Sequence, residues 1–346
     1  MLPAIAAAIM ALPRALVLLP GLALISALVV QGMIFIGVQD QPAPRKAHAT
    51  PTPKAGGLGI VAAFALGVGL HGAPGLRGAV PALLLIAAVS LLDDLLTFGA
   101  LPKLLAQLGA GVWALAAGFG LHRLGLPWLG PWALGWLGVP LTLGVLLVVT
   151  NAMNFIDGLN GLAAGVALIA GLMLAWAGGL AHEAVLVGGG LLLAAGVLGF
   201  LPFNFPRARI FMGDVGSQFC GFLLGLLGVA AARAPGTALL VPLLLSGVLF
   251  DVGFTFIRRL LAGEAVARAH NGHLYQVAAR AGVPAWAVAL VQWGFAGLGG
   301  ACALALRPAS PLGGAGLVLL VLVVQLAWAG FVVRRARAVG LGRWSV

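Results

Sequence analysis

The sequence predicts an all-α protein, a polytopic integral membrane helical bundle, and three observations carry that prediction. Hydrophobic residues make up 62% of the 346 residues and charged residues only 8%, with a mean hydropathy of +1.13. Soluble globular proteins carry about 25% charged residues. Residues 15–38 hold no charge, which is enough apolar chain to cross a ~30 Å hydrocarbon layer as a helix. The 53 glycines suit a bundle in which small residues let helices approach closely.

About eleven apolar segments are predicted to form the helices of this bundle, as one membrane-embedded domain over residues 1–346. The first is predicted to be a retained span, since a secretory signal has a shorter apolar core and a small-residue cleavage site. The segments lie near 15–38, 56–72, 78–96, 104–121, 137–150, 159–178, 184–202, 217–232, 237–257, 284–305 and 312–333.

Residues 123–136 are predicted to lie at the membrane interface and not to span it. Pro127 and Pro131 interrupt any helix there. Three tryptophans follow one another at the spacing of an interfacial belt: Trp128, Trp132 and Trp136. The two cysteines, Cys220 and Cys302, lie inside apolar segments and indicate neither a disulfide nor a metal framework.

The basic residues predict the orientation of the bundle, with the N-terminus periplasmic and the C-terminus cytoplasmic. With eleven spans, 14 of the 19 Lys and Arg residues fall on one side, which the positive-inside rule makes cytoplasmic. The net charge of +11 therefore reflects topology and indicates no nucleic-acid partner. The cytoplasmic group is Arg45, Lys46, Lys54, Lys103, Arg207, Arg209, Arg258, Arg259, Arg268, Arg280, Arg334, Arg335, Arg337 and Arg343; the opposite group is Arg14, Arg77, Arg123, Arg233 and Arg307.

The eight acidic residues indicate a functional site, because an ionisable residue in a membrane span is costly to bury. Seven of them are predicted on or near the cytoplasmic side, and only Glu183 outside it. We expect the carboxylates at helix ends to converge with Asn154 on one surface. These carboxylates are Asp93, Asp94, Asp157, Asp214 and Asp251.

The chemistry that suits these residue types is phosphoryl transfer. Hard oxygen ligands in small number favour Mg²⁺, which shares its coordination shell with waters and substrate phosphates. Basic residues and histidines favour phosphate oxygens. Catalysis of phosphoryl transfer depends mainly on positioning and charge neutralisation. No G-x-x-x-x-G-K-[ST] motif is present, so an ATP-driven P-loop machine is unsupported.

Five stretches resemble the polyprenyl-phosphate N-acetylhexosamine-1-phosphate transferases, the MraY/WecA superfamily of bacterial cell-envelope enzymes. They occur in the order of that family and together extend over most of the chain. They are TPTPKAGGLGI (50–60), LLDDLLTFGALPKLLAQ (91–107), NAMNFIDGLNGL (151–162), FNFPRARIFMGDVGSQFCGF (203–222) and ARAHNGHLYQ (267–276).

The resemblance implies the reaction and its partners. A UDP-N-acetylhexosamine would give its sugar 1-phosphate to undecaprenyl phosphate, releasing UMP, at the cytoplasmic face of the bacterial inner membrane. The cofactor implied is Mg²⁺, with Mn²⁺ as a substitute. The lipid bilayer is a partner, nucleic acid is not, and a homodimer remains open. Residues 258–283 would form a cytoplasmic loop carrying the HxxH motif.

Individual site residues follow from the same resemblance. Asp214 matches the principal Mg²⁺ ligand, and Asn154 a position that helps to hold the metal or the pyrophosphate. The catalytic candidates are Asp93, Asp94, Asp157, His270 and His273, where the histidines hold the pyrophosphate and Asp157 faces the nucleotide. The substrate-binding candidates are Lys54, Lys103, Asn151, Asn154, Asn160, Arg207 and Arg209. Asn160 departs from the pattern, because many relatives carry Asp there.

The HxxHLYQ ending resembles the branch that initiates O-antigen-type glycans, whereas the peptidoglycan branch has three successive histidines. A peptidoglycan-branch phospho-N-acetylmuramoyl-pentapeptide transferase remains an alternative. A membrane transporter, which is a different class of protein, also remains an alternative. The ionisable residues of a transporter would be expected near the bilayer midplane.

Taken singly, most of these residues also have a purely structural interpretation. The Asp93–Asp94 pair could end a span at the water interface, and Asn151 and Asn154 could satisfy helix-end backbone groups. Asp214 and the two histidines could belong to ordinary turns. Asp251 could only neutralise Arg258, and Arg207 and Arg209 could only anchor the topology.

Overall fold

The computed structural model describes residues 2–40, 51–71, 75–126, 128–234, 236–265 and 270–341, with side chains from residue 18 onward. The predictions for Arg45, Lys46, Pro127, Arg268 and Arg343, and for the side chain of Arg14, lie outside this part of the chain.

Helices dominate the described residues, and eleven of them are 14 residues or longer. Two short helices, α9 (Leu240–Leu244) and α11 (Leu274–Arg280), lie between the long ones. The long helices are α1 (Leu2–Ile36), α2 (Leu58–His71), α3 (Val80–Leu96), α4 (Ala100–Ala116), α5 (Gly138–Phe155), α6 (Leu162–Ala181), α7 (Ala184–Asn204), α8 (Gly213–Ala231), α10 (Ser246–Leu261), α12 (Ala285–Ala305) and α13 (Pro311–Ala338).

The all-α membrane fold is confirmed. Within the described ranges, eight helical segments are long and apolar enough to cross a membrane. Two further apolar helices, Leu58–Leu70 and Ala100–Ala116, are shorter. Each of the eleven predicted segments coincides with a long helix, α10 being 16 residues long. The chain is therefore a multi-pass membrane protein.

Two helices begin earlier than predicted and so include a polar residue of the site, and one predicted segment is divided in two. Helix α4 begins at Ala100, so Lys103 lies in its first turn and not before it. Helix α8 begins at Gly213, which puts Asp214 in its first turn and not in a preceding turn. The predicted segment 237–257 is divided at Leu245 into α9 and α10.

The predicted loop 258–283 is also partly helical. Its first residues complete α10, which ends at Leu261, and α11 occupies Leu274–Arg280. A capping box starts α11: the Gln276 side chain accepts the backbone N–H of His273 at 3.2 Å.

Within the part of the chain that the structure describes, four short strands form two small antiparallel sheets. Strand β1 (Gln39–Asp40) pairs with β2 (Thr52–Pro53), and β3 (Arg123–Leu126) pairs with β4 (Gly130–Ala133). The second hairpin confirms that residues 123–136 form no continuous spanning helix. Trp128 Nε1 donates to the backbone oxygen of Ala309 at 2.8 Å, which ties this hairpin to the region before α13.

Helix α8 is the central element, and nearly all its residues are buried. Its first turns meet the start of α2 at a glycine–glycine contact: a Cβ on Gly57 would lie 2.1 Å from Cα of Gly216. Such close approach is what small residues allow between membrane helices. It brings the first glycine-rich motif against the turn that carries Asp214.

Candidate active site

Three charged side chains from three helices meet at one end of the bundle. The ammonium of Lys103 lies 2.8 Å from Oδ2 of Asp93 and 2.8 Å from Oδ2 of Asp214. Asp93 is near the C-terminus of α3, Lys103 near the N-terminus of α4 and Asp214 at the N-terminus of α8. We call this end of the bundle the site end. All three side chains keep some solvent exposure, so a ligand can reach them.

Asp94, next in sequence, faces the backbone and not Lys103. Its two carboxylate oxygens accept the backbone N–H groups of Asp214 at 3.1 Å and Val215 at 3.0 Å. A carboxylate here satisfies unpaired N–H groups of the first turn of α8 and interacts favourably with the helix dipole. Gly213 has a positive φ of 74°, and a Cβ there would meet Asp94 Oδ2 at 2.6 Å. Asp94 therefore fixes the position of Asp214.

The first glycine-rich motif is held beside this turn by backbone hydrogen bonds. Phe211 N–H donates to Pro53 O at 2.8 Å, and Gly56 N–H donates to Phe211 O at 2.9 Å. Gly57 N–H donates to Met212 O at 2.8 Å. The adjacent Lys54 is thereby placed where its charge acts on Asp94.

A row of amide side chains leads from α5 to Asp214. Asn151 Nδ2 donates to Gln107 Oε1 at 2.7 Å, and Gln107 Nε2 donates to Gln218 Oε1 at 3.0 Å. Gln218 Nε2 then donates to Asp214 Oδ2 at 3.1 Å. The sequence analysis did not identify the two glutamines. The available signal was a Gln inside an apolar helix, since a buried amide must find polar partners.

Asn154 lies beside the start of α8, as the predicted convergence requires. Its Oδ1 accepts a hydrogen bond from Ser217 Oγ at 3.0 Å. Ser217 follows Asp214 by one helical turn and also contacts Gly213 O at 3.1 Å. Asn154 therefore contacts the helix turn that carries Asp214, although 60 positions separate the two residues in the sequence.

Asp157 lies in the turn after α5 and faces the same acidic cluster. Burial raises the pKa of the Asp157 carboxyl well above its usual range, and the negative charges of Asp214 and Asp94 raise it further. A cationic ligand between these acids would relieve that repulsion.

The remaining residues of this turn have weaker links to the charged cluster. Asn160 Nδ2 contacts Pro206 O at the long distance of 3.5 Å. Asn204 holds the turn, since it accepts Gly161 N–H at 2.7 Å and donates to Ile210 O at 2.9 Å. The guanidinium of Arg209 lies 5.4 Å from the centre of the Phe203 ring. Among the described side chains, neither Arg207 nor Arg209 lies within ion-pair distance of an acid.

The two histidines form a second cluster. Their ring centres are 4.9 Å apart, and His273 Nδ1 lies 3.0 Å from Oδ1 of Asp251. His270 Nδ1 accepts the backbone N–H of Gly272 at 3.1 Å. Burial lowers the pKa of His270 to about 4, and the neighbouring side chains of His273, Arg259 and Arg258 contribute. His270 is therefore neutral at pH 7.

Asp251 has more than the role of neutralising Arg258, so that interpretation is wrong. It is 1% exposed and accepts the backbone N–H groups of Leu274 and Tyr275 as well as contacting His273. Arg258 pairs with Glu264 at 3.2 Å. The sequence analysis grouped Asp251 with the converging acids but assigned it no site role.

The histidine cluster contacts the polar turn after α5. Tyr275 donates its hydroxyl hydrogen to the backbone oxygen of Phe155 at 2.8 Å. The Phe155 ring lies 5.9 Å from that of His273. A Cβ on Gly158 would meet the Tyr275 hydroxyl at 2.3 Å, so these segments are in close contact. The histidines therefore border the turn that carries Asn154 and Asp157.

The donor set of the site consists of carboxylate and amide oxygens, the kind of ligand that suits Mg²⁺. No group of three or more His, Cys, Asp and Glu side chains in the described ranges could hold a metal. Mg²⁺ is usually bound by one or two carboxylates together with waters and substrate phosphates. Asp214 supplies a partly exposed carboxylate, and Asn154 supplies an amide oxygen that contacts the same first turn of α8. The fact that two carboxylates share the Lys103 ammonium shows that this place attracts a cation.

The comparisons with known proteins agree on one family. A family model described as glycosyl transferase family 4 matches residues 76–232. A probable undecaprenyl-phosphate N-acetylglucosaminyl 1-phosphate transferase of Bacillus subtilis is 34% identical over 253 residues, which cover 70% of each chain. A decaprenyl-phosphate N-acetylglucosaminephosphotransferase of Mycobacterium leprae is 34% identical over 279 residues, 68% of each chain. The chain belongs to the polyprenyl-phosphate N-acetylhexosamine-1-phosphate transferase superfamily.

A third relative represents another branch of this superfamily. A phospho-N-acetylmuramoyl-pentapeptide-transferase of Synechococcus sp. is 39% identical over 196 residues, 53% of this chain and 55% of the relative. The family model extends over the acidic cluster and the polar turn, from Asp93 to Asp214. Asp251 and the two histidines lie beyond its last matched residue.

Proposed function

We propose that this chain transfers an N-acetylhexosamine 1-phosphate from a UDP-sugar to undecaprenyl phosphate and releases UMP. The printed names of the relatives from Bacillus subtilis and Mycobacterium leprae support this kind of reaction. The observation that carries the proposal is the cluster of Asp93, Lys103 and Asp214, which gathers charge at the ends of three helices.

The geometry supports distinct roles for these residues. A lipid phosphate oxygen would form a bond to the β-phosphorus of the donor while the bond between that phosphorus and the oxygen bridging to the α-phosphate breaks, with UMP as the leaving group. Lys103 would hold the lipid phosphate as a charged hydrogen-bond donor. Asp93, beside Lys103, would orient that phosphate or accept its proton. Asp94 would act through its hold on the first turn of α8.

Asp214 and Asn154 would hold Mg²⁺, for which Mn²⁺ could substitute. When bound, the ion would supply neutralisation of phosphate charge. His270 and His273 would contact the donor pyrophosphate, and Asp157 the nucleotide part. The path by which the donor enters the site would be lined by Lys54, Asn151, Asn160, Arg207 and Arg209. Of these, Asn151 would act through the row of amide side chains that leads to Asp214.

The cellular setting is part of the proposal. The protein would span the bacterial inner membrane, and its site end would face the cytoplasm, where UDP-sugars are found. The lipid phosphate would stay at headgroup level while its tail remains in hydrocarbon. The HxxHLYQ ending supports a role in initiating O-antigen or another cell-envelope polysaccharide. A homodimer, in which a second copy of the chain is the partner, is also part of the proposal.

The second candidate is transfer of phospho-N-acetylmuramoyl-pentapeptide. It is favoured by the Synechococcus sp. relative, at 39% identity over about half of this chain. The two candidates differ only in the donor, so a panel of donors decides between them. The panel consists of UDP-N-acetylglucosamine, UDP-N-acetylgalactosamine and UDP-N-acetylmuramoyl-pentapeptide.

The test uses detergent-purified protein, undecaprenyl phosphate, Mg²⁺ and each donor in turn. UMP release and the mass of the lipid product are measured. We expect UMP from a UDP-N-acetylhexosamine and none without the lipid phosphate. Asp214→Asn should reduce the rate by at least about 100-fold, the size expected when a group that stabilises transferred phosphate charge is lost. Glu183→Gln, an equivalent change outside the site, should leave the rate unchanged.

A protein that folds and binds lipid phosphate but releases no UMP from any donor would contradict the proposal. That outcome would favour a transporter, which needs no chemical step.

A further inference from the structure

The carboxylate of Asp251, which is buried outside the acidic cluster, is surrounded by more hydrogen-bond donors than a purely structural ion pair would need. Asp251 lies in α10 and is 1% exposed. Its Oδ1 faces Nδ1 of His273 at 3.0 Å and accepts Leu274 N–H at 3.0 Å, while its Oδ2 accepts Tyr275 N–H at 2.9 Å. The Thr255 hydroxyl lies 3.4 Å from Oδ1. A carboxylate surrounded only by donors acts purely as an acceptor.

This arrangement determines which nitrogen of each histidine carries a proton. An ionised Asp251 only accepts, so it would pair with a proton on Nδ1 of His273 and leave Nε2 for a ligand. His270 shows the reverse arrangement, because its Nδ1 accepts Gly272 N–H and so its Nε2 carries the proton. Two neighbouring rings, 4.9 Å apart, are thus held in opposite tautomers.

The same carboxylate positions the start of α11 against the polar turn. Its two backbone contacts, to Leu274 and Tyr275, fix the first turn of this helix. From there the Tyr275 hydroxyl reaches Phe155 O at 2.8 Å. Phe155 follows Asn154 directly, so Asp251 sets the distance between the histidine cluster and the turn with Asn154 and Asp157.

We propose that Asp251 is a positioning residue of the transfer site, which holds His273 by Nδ1 so that Nε2 is presented to the diphosphate of the donor. The proposal rests on the proposed function for the identity of that ligand. Nε2, opposite a carboxylate-bound Nδ1, can take a second proton, and the resulting imidazolium is a charged donor for a phosphate oxygen. Carboxylate partners of this kind orient histidine ligands in other sites.

The first test measures the tautomer directly and needs no activity. Protein labelled with ¹⁵N-histidine is studied by NMR in detergent micelles, and His273→Ala identifies the signals of that residue. We expect His273 to carry its proton on Nδ1, and Asp251→Asn to shift it toward the Nε2 tautomer. Thr255→Val, which alters a neighbour of the same carboxylate, should leave the signals unchanged. A wild-type His273 with an unprotonated Nδ1 would overturn the proposal.

The second test is a double-mutant cycle on UMP release. Asp251→Asn should reduce kcat/KM for the donor by at least about tenfold, as loss of an orienting partner does elsewhere. In a His273→Ala background the same change should cost less than about twofold, since residues that act through one another are not additive. Equal losses in both backgrounds would show that Asp251 does not act through His273.

The two tests separate this proposal from the proposed function. If the wild-type protein releases no UMP, the proposed function has failed, and the NMR measurement still decides how Asp251 holds His273. If UMP is released but the tautomer and the cycle give the opposite results, the role of Asp251 has failed on its own. Thermal unfolding of each variant shows whether it is folded.

Discussion

Asp93 and Asp94 are adjacent in the sequence and have different environments. Asp93 shares Lys103 with Asp214, whereas both oxygens of Asp94 accept backbone N–H groups at the start of α8. Their Cβ atoms point in different directions because successive helical residues are rotated by about 100°. The first residue therefore faces Lys103, and the second holds the first turn of α8.

Asp94→Asn should consequently destabilise the protein more than Asp93→Asn. An amide has one acceptor oxygen, so one of the N–H groups of Asp214 and Val215 would face an NH₂ group and lose its partner. Leaving a buried donor unsatisfied costs about 1–3 kcal/mol. Equilibrium unfolding in mixed micelles measures the difference. Asp93→Asn, which keeps an oxygen for Phe98 N–H, should instead mainly reduce UMP release. Equal stability of the two variants would contradict this division.

Lys103 contacts Oδ2 of Asp214, the residue proposed to hold a divalent cation. Lys103→Met removes the positive charge that would compete with a divalent cation, and it leaves the carboxylates of Asp93 and Asp214 without this partner. We expect Mn²⁺ to bind at least about tenfold more tightly, as the loss of a neighbouring charge at close range predicts, although transfer activity falls. Electron paramagnetic resonance of free Mn²⁺ measures the affinity without any turnover.

The matched control for this variant is Lys54→Met. It removes the same charge near Asp94 but none that touches Asp214, so the Mn²⁺ affinity should change much less. Weaker Mn²⁺ binding in Lys103→Met than in the wild type would show that Lys103 helps the ion to bind.

Among the elements, the contact of α2 with α8 depends on glycine at two positions. A Cβ on Gly57 would lie 2.1 Å from a backbone atom of Gly216, and backbone cannot move aside as a flexible side chain can. Gly57→Ala should therefore force the helices apart and cost about 1–3 kcal/mol or more. Thermal unfolding followed by size-exclusion chromatography measures the effect.

Gly69→Ala, in the same helix, is the control. No atom lies within 4 Å of a Cβ at Gly69, and alanine has the higher helix propensity. This variant should be as stable as the wild type or more stable. A tolerated Gly57→Ala would mean that the close approach of α2 and α8 is not required.

The sequence predicted the elements well and the partners of their polar residues less well. Apolar length located all eleven long helices, because hydrophobicity is read locally. Gln107 and Gln218 were missed, since their significance depends on a contact between α4 and α8. Asp251 received no site role for the same reason: its donors come from α11, which lay inside a predicted loop.

The helix starts were the second source of error. Lys103 and Asp214 were placed outside helices because polar residues lower the local hydropathy that defines a segment. In the structure both lie in first turns, where a polar side chain can remain at the end of the bundle. The family motifs identified the residues, but only the packing of α3, α4, α5 and α8 shows how they meet.

At the scale of the whole molecule, the charged residues of the candidate site gather at one end of an apolar bundle. The predicted orientation places this end in the cytoplasm, on the strength of the 14 to 5 distribution of basic residues. Single cysteines test it, because both native cysteines are buried and should react poorly. In right-side-out vesicles, Ser310→Cys should react with an impermeant maleimide, and Ala262→Cys should react only after the membrane is permeabilised.

Labelling of Ala262→Cys in intact vesicles, with Ser310→Cys protected, would invert the orientation. A cytoplasmic nucleotide-sugar could then not reach the site, and the proposed function would fail with it.

The distances along the chain between the site residues also set an order of events during biosynthesis. Lys103 follows Asp93 by 10 residues, so this pair can form as soon as α4 emerges from the ribosome. The backbone N–H groups that donate to Asp94 are made about 120 residues later, at the start of α8. Until then Asp94 lacks these hydrogen-bond donors and remains at the membrane–water interface. The pair of Asp93 and Lys103 can thus form early, whereas the proposed transfer site also needs α8 and the later segment that carries Asp251 and the two histidines.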